Sequence, residues 1–332
     1  MQAVVLAGGL GTRLRPITYT RPKPLVPILN RPLILRVMDM LPPEVDEVFI
    51  ATGYMGDRLR SFFDENRTAA KVEVVVEERP LGTGGAIKNL EERIKGTFIV
   101  VNGDVVCSLD LRKMLAFHRS KCSFCTIAMW EVEDPTPYGM VVTGDGDRIM
   151  RFHEKPRPEE VVCRSVNAGT YVLEPGIFSK MEPGRMTSIE KEVFPYVLDR
   201  GLFGFRFGGY WFDGGTLESY LALHASLMLA DHGGMNKGEG LNAGATSVWH
   251  PPYMTGKDCV VGEHSVIGHD VCLGDGVHVG KGCVLTECVV HDSVRIGDGA
   301  RLEHCLVGEN AVIGDGARIP PGTIIGDGQV VR

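Results

Sequence analysis

Residues 3 to 27 read AVVLAGGLGTRLRPITYTRPKPLVP, and this stretch gives the strongest local indication of the fold. Ala3 to Ala7 form an apolar run of buried-strand length, and Gly8, Gly9 and Gly11 follow it closely. Because glycine has no Cβ, another molecule can approach the main chain, and free N–H groups can face an anion. The stretch therefore predicts a strand that ends in an anion-binding loop.

Hydroxyl and cationic side chains follow this loop. Thr12 adds a hydroxyl, and the guanidinium of Arg13 is a planar fork that matches two phosphate oxygens. Lys23 stands between two prolines, which predicts a stiff, extended segment rather than a helix. A surface turn with scattered basic residues could have the same sequence. The residues alone therefore leave two interpretations open, an anion-binding loop and a surface turn. The patterns GxxxxGK[ST] and GxGxxG are excluded, since Arg13 and Leu14 stand where they need glycine.

Size and composition predict an ordinary globular protein of about two domains. The chain has 332 residues, 44% of them hydrophobic, and a net charge of −7, which argues against a broad nucleic-acid-binding face. No apolar segment approaches the roughly 20 residues that a bilayer requires. Nine cysteines are scattered without a disulfide pattern. We expect a cytoplasmic enzyme with neither a nucleic acid nor a membrane as partner.

Strands and helices alternate along the first two thirds of the chain. Apolar runs at 47–52, 72–76 and 98–101 predict strands, and the patterns at 31–41 and 57–66 predict helices. This alternation is typical of an α/β domain, for which we expect a Rossmann-like fold with a mixed, mostly parallel sheet. A helix from Leu217 to about Ala230 closes it, and a Gly-, Asn- and His-rich stretch follows. The predicted organisation is a domain at 1–230, a linker at 231–250 and a second domain at 251–332.

Further polar and glycine residues stand at predicted strand ends. A second glycine loop spans Glu77 to Ala86 before a helix, and Asp104 follows a buried strand, where open α/β sheets bind ligands. An N-cap at Thr83 and a turn cap at Asp104 explain these residues equally well. Four shorter segments have the same two interpretations: 138–139, 154–156, 167–169 and 210–216.

The carboxyl-terminal part repeats with a short period. Apolar anchors recur twelve times from Val261 to Ile325, at nine intervals of six residues and two intervals of five. Neither a helix nor a simple strand has this period. It predicts a parallel β-helix, in which stacked coils bury a continuous aliphatic column.

The signature GGxGTRLxPxTxxxPKPLxP at Gly8–Pro27 resembles that of the sugar-1-phosphate nucleotidyltransferases. The resemblance implies transfer of a nucleotidyl group from a nucleoside triphosphate to a sugar 1-phosphate, with Mg²⁺ on Asp104 and Asp213. Catalytic roles would fall on Arg13, Lys23, Asp104, Lys155 and Asp213. The nucleotide would be contacted by Leu6, Ala7, Gly8, Gly9, Gly11, Thr12, Arg13, Lys23, Glu78, Gly82, Thr83, Asn102, Gly103 and Asp104. The sugar phosphate would be contacted by Gly139, Glu154, Lys155, Asn167, Ala168 and Gly169.

The segment Thr187–Pro195 is similar to one in mannose-1-phosphate guanylyltransferases, which favours GTP and mannose 1-phosphate. UTP or dTTP with glucose 1-phosphate is an alternative. A sugar-nucleotide-binding regulatory subunit without turnover is another. At Gly214 the sequence departs from the family pattern WxDxGT, where an apolar residue is usual.

The repeats resemble the hexapeptide left-handed β-helix of acyltransferases and of many pyrophosphorylases. Acetyl transfer by one of the repeat histidines is disfavoured, because the stack is short. We expect an assembly module that supports a homo-oligomer.

Overall fold

The computed structural model describes the main chain of residues 1–332 and the side chains of all except Asp231 and His232. The strands of the first two thirds are β1 (Gln2–Leu6), β2 (Pro27–Ile28), β3 (Arg31–Pro32), β4 (Glu47–Thr52), β5 (Lys71–Val76), β6 (Phe98–Asn102), β7 (Val105–Cys107), β8 (Cys125–Glu131), β9 (Gly139–Thr143), β10 (Ile149–Glu154), β11 (Ser165–Leu173), β12 (Leu202–Arg206) and β13 (Trp211–Asp213). The α-helices are α1 (Leu33–Asp39), α2 (Gly56–Glu65), α3 (Gly82–Lys88), α4 (Leu111–Ser120), α5 (Ile189–Glu192) and α6 (Leu217–His232).

Short strands follow α6 to the end of the chain. They are β14 (Met235–Asn236), β15 (Asn242–Ala243), β16 (Val248–Trp249), β17 (Tyr253–Thr255), β18 (Val260–Val261), β19 (Val266–Ile267), β20 (Val271–Leu273), β21 (His278–Val279), β22 (Val284–Val290), β23 (Arg295–Ile296), β24 (Arg301–Val307), β25 (Val312–Ile313), β26 (Arg318–Ile319), β27 (Ile324–Ile325) and β28 (Val330–Val331). Within the described chain, none of the helices is long and apolar enough to cross a membrane.

The chain forms two compact units. The first contains Met1–Gly9 and Val37–Trp211, and the second contains Leu10–Arg36 and Phe212–Arg332. The segment after the first glycine pair therefore packs with α6 and the repeats. The boundaries predicted at 230 and 250 divide the chain differently from these two compact units. The predicted domain boundaries stay a prediction.

A mixed sheet forms the first unit, as the sequence predicts. Its order is β10-β9-β11-β6-β1-β4-β5, and β8 joins both β11 and β12. Strands β6, β1, β4 and β5 are parallel, whereas β11 is antiparallel to β6, β8 and β9. The parallel part coincides with the strand and helix alternation in the sequence, because parallel neighbours require a crossover helix.

Aliphatic and aromatic side chains fill the core of the first unit. Val4, Val100 and Tyr171 lie in one buried cluster with side chains from α3 and α5. Phe98 and Phe178 stack with their ring centroids 5.4 Å apart. Burial of this apolar surface fixes the strands in register, and therefore fixes which residues stand at the sheet edge.

The second glycine loop packs tightly against the segment before α5. The amides of Gly84 and Gly85 both donate to the carbonyl oxygen of Thr187, at 2.8 and 3.2 Å. Gly82 has φ +70°, and a Cβ on it would lie 2.6 Å from that oxygen. The helix starts after Leu81, so Thr83 is not its N-cap. These glycines are required by the approach of Thr187, and two of the amides at the helix start are already used within the protein.

The signature segment of the second unit forms three single-turn 3₁₀ helices, Thr12–Leu14, Ile17–Tyr19 and Lys23–Leu25. The predicted extended conformation at Lys23 is therefore wrong. Pro24 is compatible with the first turn of a helix, where the N–H that it lacks has no helical partner. The flanking residues Pro22 and Val26, with ψ 147° and 129°, are extended. Helix α1 begins at Leu33, two residues later than predicted, because Arg31–Pro32 pairs as a strand.

The carboxyl-terminal repeats form a stack of coils whose neighbouring strands are all parallel. Paired residues in successive coils are 17 or 18 positions apart, as for Val260 with His278 and His278 with Arg295. The 17-residue coils explain the two five-residue intervals in the sequence. At these two intervals, strands β22 and β24 continue through a corner of the coil. The corner residues are Glu287 and His304, which both have positive φ. The predicted parallel β-helix is confirmed.

The stack begins earlier than the first predicted anchor. Strands β14 to β16 lie within residues 231–250, which the sequence suggests are a linker, and they pair with β17 to β19 of the next coil. The glycine residues of this stretch stand in turns and connections between short strands, whereas Asn236 and Asn242 lie in β14 and β15. Composition alone does not distinguish such turns from a linker.

Two histidines are buried where α6 meets the coils. His224 is 1% exposed and His291 is 3% exposed. The Tyr220 hydroxyl donates to the carbonyl oxygen of Pro27 and lies 3.1 Å from Nε2 of His291. The pKa of each histidine is lowered to about 3, mainly by burial and to a smaller extent by neighbouring positive charge. Both imidazoles are therefore neutral at pH 7.

We predict that substituting Gly82 by Ala destabilises the protein, by roughly 1–3 kcal/mol, since the methyl group would collide with the Thr187 carbonyl and the residue is held at positive φ. Urea unfolding measures this. Gly96→Ala is the matched control, because a Cβ there meets no described atom within 4 Å. Equal effects of the two substitutions would contradict the packing argument.

We predict that stability falls on acidification between about pH 6.5 and pH 3. In this window the unfolded chain takes up protons on both histidines, whereas the folded chain does not. The expected loss is about 2 kcal/mol per histidine between pH 7 and pH 5. Urea unfolding at a series of pH values measures it. His224→Phe should flatten the acid limb, and His278→Phe, at an exposed position, should leave it unchanged.

Candidate active site

Two parallel strands deliver the first glycine loop and the predicted aspartate to one edge of the sheet in the first unit. Strand β1 pairs with β6 so that Leu6 lies opposite Asn102. The Gly103 amide donates to the Leu6 carbonyl oxygen at 2.8 Å, and a Cβ on Gly103 would lie 2.9 Å from the same atom. Asp104 follows directly and is half-buried. The residues Leu6 to Gly9 and Asn102 to Asp104 therefore stand side by side.

Gly8 and Gly9 differ from the other glycines of the site. Both are exposed, and a Cβ on either would meet no described atom within 4 Å. Intramolecular packing therefore does not require glycine at these positions. Close approach of a ligand to the main chain does, as the sequence predicts for an anion.

The segment Asn167–Gly169 lies at the same edge as Asn102. Gly169 has φ +74°, and a Cβ on it would lie 2.6 Å from Nδ2 of Asn102. Its amide donates to Oδ1 of Asn167 at 2.9 Å. Among the described side chains, Oδ1 of Asn102 is a buried acceptor without a hydrogen-bond partner. An uncompensated buried acceptor is costly, and this one is suited to a donor from a ligand.

The other predicted sugar-binding residues lie on the β9–β10 pair. Gly139 stands opposite Glu154, and a Cβ on Gly139 would lie 2.6 Å from Oε2 of that glutamate. The Lys155 amide donates to the Tyr138 carbonyl oxygen at 2.9 Å, and the lysine side chain is exposed. Lys155 has φ +52°, so the strand ends in a turn that separates the lysine from Glu154.

Glu190 connects the second glycine loop to Asn167, a predicted sugar contact, and the sequence reasoning missed it. Its carboxylate accepts from the Thr83 hydroxyl at 2.6 Å and the Ser188 hydroxyl at 2.8 Å. The Tyr171 hydroxyl lies 3.4 Å away and accepts from the Asn167 side chain at 2.8 Å. A polar network thus runs from Thr83 to Asn167. Glu190 was visible in the sequence only as an acidic residue in the first turn of a helix.

Glu154 lies close to this network. Burial raises the pKa of its carboxyl group, and the negative charge of Glu190 adds to the shift. Positive charge on Lys155 and Lys191 acts in the opposite direction. A carboxyl group held in this balance accepts hydrogen bonds from hydroxyl groups when ionised, which suits recognition of a sugar.

Glu78, the predicted nucleotide contact before the second glycine loop, is exposed. Its neighbour Glu77 turns inward instead, and its carboxylate accepts from the Leu81 amide at 3.1 Å. Burial raises the pKa of Glu77. The loop geometry therefore depends on Glu77, which the sequence reasoning did not select.

The remaining signature residues lie in the second unit. Gly11 has φ +60°, and a Cβ on it would lie 2.9 Å from Thr18 and 3.1 Å from the Lys23 Cβ. The Thr18 hydroxyl donates to the Gly11 carbonyl oxygen at 2.9 Å. Thr12 and Arg13 are exposed, whereas Lys23 is only 7% exposed. The glycine turn thus packs directly on the stem of the lysine.

Asp213 lies close to Arg13 in the second unit. A Cβ on Gly215 would be 3.5 Å from Nη1 of Arg13 and 3.7 Å from Oδ2 of Asp213. The Asp213 carbonyl oxygen accepts from the Ser219 hydroxyl at 2.6 Å, at the start of α6. Thr216 caps this helix, since its hydroxyl accepts from the Ser219 amide at 3.2 Å.

The resemblance assigns Mg²⁺ to two aspartates, and carboxylate oxygens are among the ligands that this ion prefers. Within the described residues, no group of three or more His, Cys, Asp or Glu side chains is arranged to hold a metal. Asp104 and Asp213 each offer half-buried carboxylate oxygens. Mg²⁺ is usually held by one or two carboxylates together with substrate phosphates and water. The chemistry of the two residues is therefore compatible with a divalent ion that arrives with the nucleotide.

Comparisons with known proteins agree with this geometry. Residues 2–228 match the family model described as nucleotidyl transferase, and residues 249–332 match the one described as GMPPB C-terminal domain. A mannose-1-phosphate guanylyltransferase of Mycobacterium tuberculosis is 35% identical over 86% of this chain and 83% of its own length. Mannose-1-phosphate guanylyltransferase 1 of Arabidopsis thaliana is 34% identical over 87% and 81%.

Solved structures show the same fold. HddC from Yersinia pseudotuberculosis superimposes with a TM-score of 0.58 at 32% identity, over 67% of this chain and 97% of that one. Its complex with GMP-PN gives a TM-score of 0.57 at 31% identity, over the same shares. The match to a family model over residues 2–228 covers more than half of the chain. The chain therefore belongs to the nucleotidyl transferase family.

Proposed function

We propose that the protein transfers a guanylyl group from GTP to mannose 1-phosphate, forming GDP-mannose and releasing pyrophosphate. An oxygen of the sugar phosphate attacks the α-phosphorus in line. The new P–O bond forms as the bond from the α-phosphorus to the bridging oxygen of the β-phosphate breaks. The attacking phosphate is largely ionised at neutral pH, since its second pKa is about 6, so no general base is needed.

The single observation that carries the proposal is the alignment of the carboxyl ends of β1 and β6 with residues 167–169 of β11 at one edge of the sheet. There β1, β6 and β11 present Gly8–Gly9, Asp104 and Asn167–Gly169. These are groups suited to a phosphate chain, a divalent ion and sugar hydroxyls. The two mannose-1-phosphate guanylyltransferases align with this chain over 81% or more of their own length. Their names support GTP and mannose 1-phosphate as the substrates.

Repulsion between the two anionic substrates is the main barrier that the protein has to lower. In the proposal, Arg13 and Lys23 neutralise charge on the α-phosphate and the departing pyrophosphate, and Lys155 neutralises the sugar phosphate. Asp104 and Asp213 would hold Mg²⁺, which supplies electrophilic stabilisation of the phosphoryl oxygens when bound. Positioned charge of this kind contributes several kcal/mol to transition-state stabilisation.

The sugar would be recognised by the Glu154 and Asn167 side chains, with Gly139 and Ala168 offering main-chain groups. The base would lie against the loop of Gly82 and Thr83. We also propose a cytoplasmic location and a homo-oligomer formed through the β-helix. The coil faces at the end of such a stack offer unpaired strand edges to a second copy.

A matrix of GTP, ATP, UTP and dTTP against mannose, glucose and galactose 1-phosphates tests the function. With Mg²⁺, the expected result is pyrophosphate release that is fastest with GTP and mannose 1-phosphate. Preference for UTP or dTTP with glucose 1-phosphate would contradict the substrate assignment. Binding of GDP-mannose without any turnover would indicate a regulatory subunit.

Replacing Asp104 by Ala is expected to lower kcat by about 10²- to 10³-fold, because one preorganised electrostatic group at the reacting phosphate is lost. Pyrophosphate release under saturating substrates measures the change. Asp145→Ala is the control, since Asp145 is an exposed carboxylate in the turn between β9 and β10. Near-normal turnover in the Asp104 variant would contradict the proposal that Asp104 holds Mg²⁺.

A further inference from the structure

Aspartates in the turns of the coil stack hold one coil to the next. Oδ1 of Asp275 accepts from the Lys257 amide at 2.7 Å, and Oδ1 of Asp292 accepts from the Asp275 amide at 2.8 Å. In a second column, Asp298 and Asp315 each accept through Oδ1 from a main-chain amide of the preceding coil, at 2.7 and 2.9 Å. Each bond joins residues 17 or 18 positions apart, the length of one coil. We call these the aspartate columns.

The first aspartate column changes at its end. Position 309, one coil after Asp292, holds glutamate, and its carboxylate turns to Arg21 instead. Asp327, the last member, still accepts from the Glu309 amide through Oδ1 at 2.8 Å. Its second oxygen also contacts Arg21, so this carboxylate joins the column to the signature segment.

Arg21 is the centre of this junction. Its Nη2 lies 2.5 Å from Oε2 of Glu309 and 2.8 Å from Oδ2 of Asp327. The Thr20 hydroxyl donates to the same Asp327 oxygen. The side chains of Arg21 and Asp327 are 18% and 14% exposed, so water screens the pair only partly. Burial tends to raise the pKa of Asp327, yet the bonds from Thr20 and Arg21 lower it overall, which keeps the carboxylate ionised.

The junction lies directly beside the phosphate-binding residues of the signature. Arg21 is two positions before Lys23, whose stem packs on Gly11. On the other side, a Cβ on Gly326 would lie 3.0 Å from Pro16, so the last coil also contacts the turn that follows Arg13. Asn30 donates to the Leu273 carbonyl oxygen at 2.8 Å and fixes the far end of the segment.

We propose that Arg21 is a positioning residue, and that Glu309 and Asp327 of the last coils hold the segment from Gly11 to Lys23 in its productive conformation. The coil stack would then contribute to turnover without contacting either substrate. The inference rests on the proposed function of Arg13 and Lys23. Catalytic groups displaced by about 1 Å lose on the order of 10² in rate, so a loosened segment has a measurable effect.

The test compares Asp327→Asn with Asp315→Asn. Asparagine keeps the Oδ1 acceptor for the amide of the preceding coil in both variants. Only Asp327→Asn removes a charge that faces Arg21, because Asp315 belongs to the other aspartate column. Arg21→Gln, Arg21→Lys and the double variant of Arg21→Gln with Asp327→Asn complete the set.

Two readouts are expected to change together. kcat should fall about 10- to 100-fold in Asp327→Asn and Arg21→Gln, with KM for both substrates changing less than about threefold. Amide hydrogen exchange should become faster across residues 10–26. The double variant should lose no more than the worse single variant, because Arg21→Gln already removes the contact between Arg21 and Asp327. Arg21→Lys should recover part of the rate, and Asp315→Asn should match the unmodified protein.

Unchanged kcat in Asp327→Asn and Arg21→Gln would overturn the inference. So would losses that multiply in the double variant, a loss of rate without faster exchange at 10–26, or an equal loss in Asp315→Asn. Failure of the proposed function gives a different result, because the unmodified protein would then release no pyrophosphate. The exchange measurement would still report whether the last coils hold the segment.

Discussion

The parallel pairing of β1 with β6 is the constraint on which the first unit depends. It places Leu6 opposite Asn102, so the first glycine pair and Asp104 emerge from the sheet at the same level. Gly103 makes the close approach possible, since a side chain there would collide with the Leu6 carbonyl. Both strands are buried along nearly their whole length, and a shift of one residue would expose their apolar side chains. Burial of the apolar side chains of β1 and β6 therefore fixes the positions of the glycine pair and of Asp104, which are not part of that apolar core.

The two glycine loops look alike in sequence but have different physical reasons for their glycines. Gly8 and Gly9 leave open space around the main chain, which is what an incoming phosphate needs. Gly82 and Gly85 are instead required by carbonyl oxygens of the segment before α5, each 2.6 Å from the added Cβ. That contact brings Thr83 to Glu190 and joins the second loop to the sugar-binding residues. The segment at Thr187–Pro195 thus has a structural role as well as its resemblance to guanylyltransferases.

In the second unit the signature segment and the coil stack depend on each other. Arg21 and Pro16 contact the turn of Gly326 and Asp327, and Asn30 contacts the Leu273 carbonyl oxygen of another coil. The Tyr220 hydroxyl of α6 donates to the Pro27 carbonyl oxygen. The buried histidines beside Tyr220 remain neutral, since burial keeps their pKa far below physiological pH. A segment rich in cations is thus held from its outer side by carboxylates of the coils. This explains why so short a segment has a defined conformation although it contains little regular structure.

The reaction class, the mixed α/β sheet and the coil stack could be predicted from the residues alone, because these depend on local signals. Such signals are the glycine signature, the strand and helix alternation, and the six-residue spacing of aliphatic anchors. Even the two five-residue intervals marked real corners, at Glu287 and His304. Three features became visible only in the folded chain: the 3₁₀ turn that begins at Lys23, the link from Thr83 through Glu190 towards Asn167, and the ion pairs of Arg21 with Glu309 and Asp327. The ion pairs of Arg21 join residues roughly 290 to 300 positions apart, and no local pattern encodes a contact made by the approach of distant surfaces.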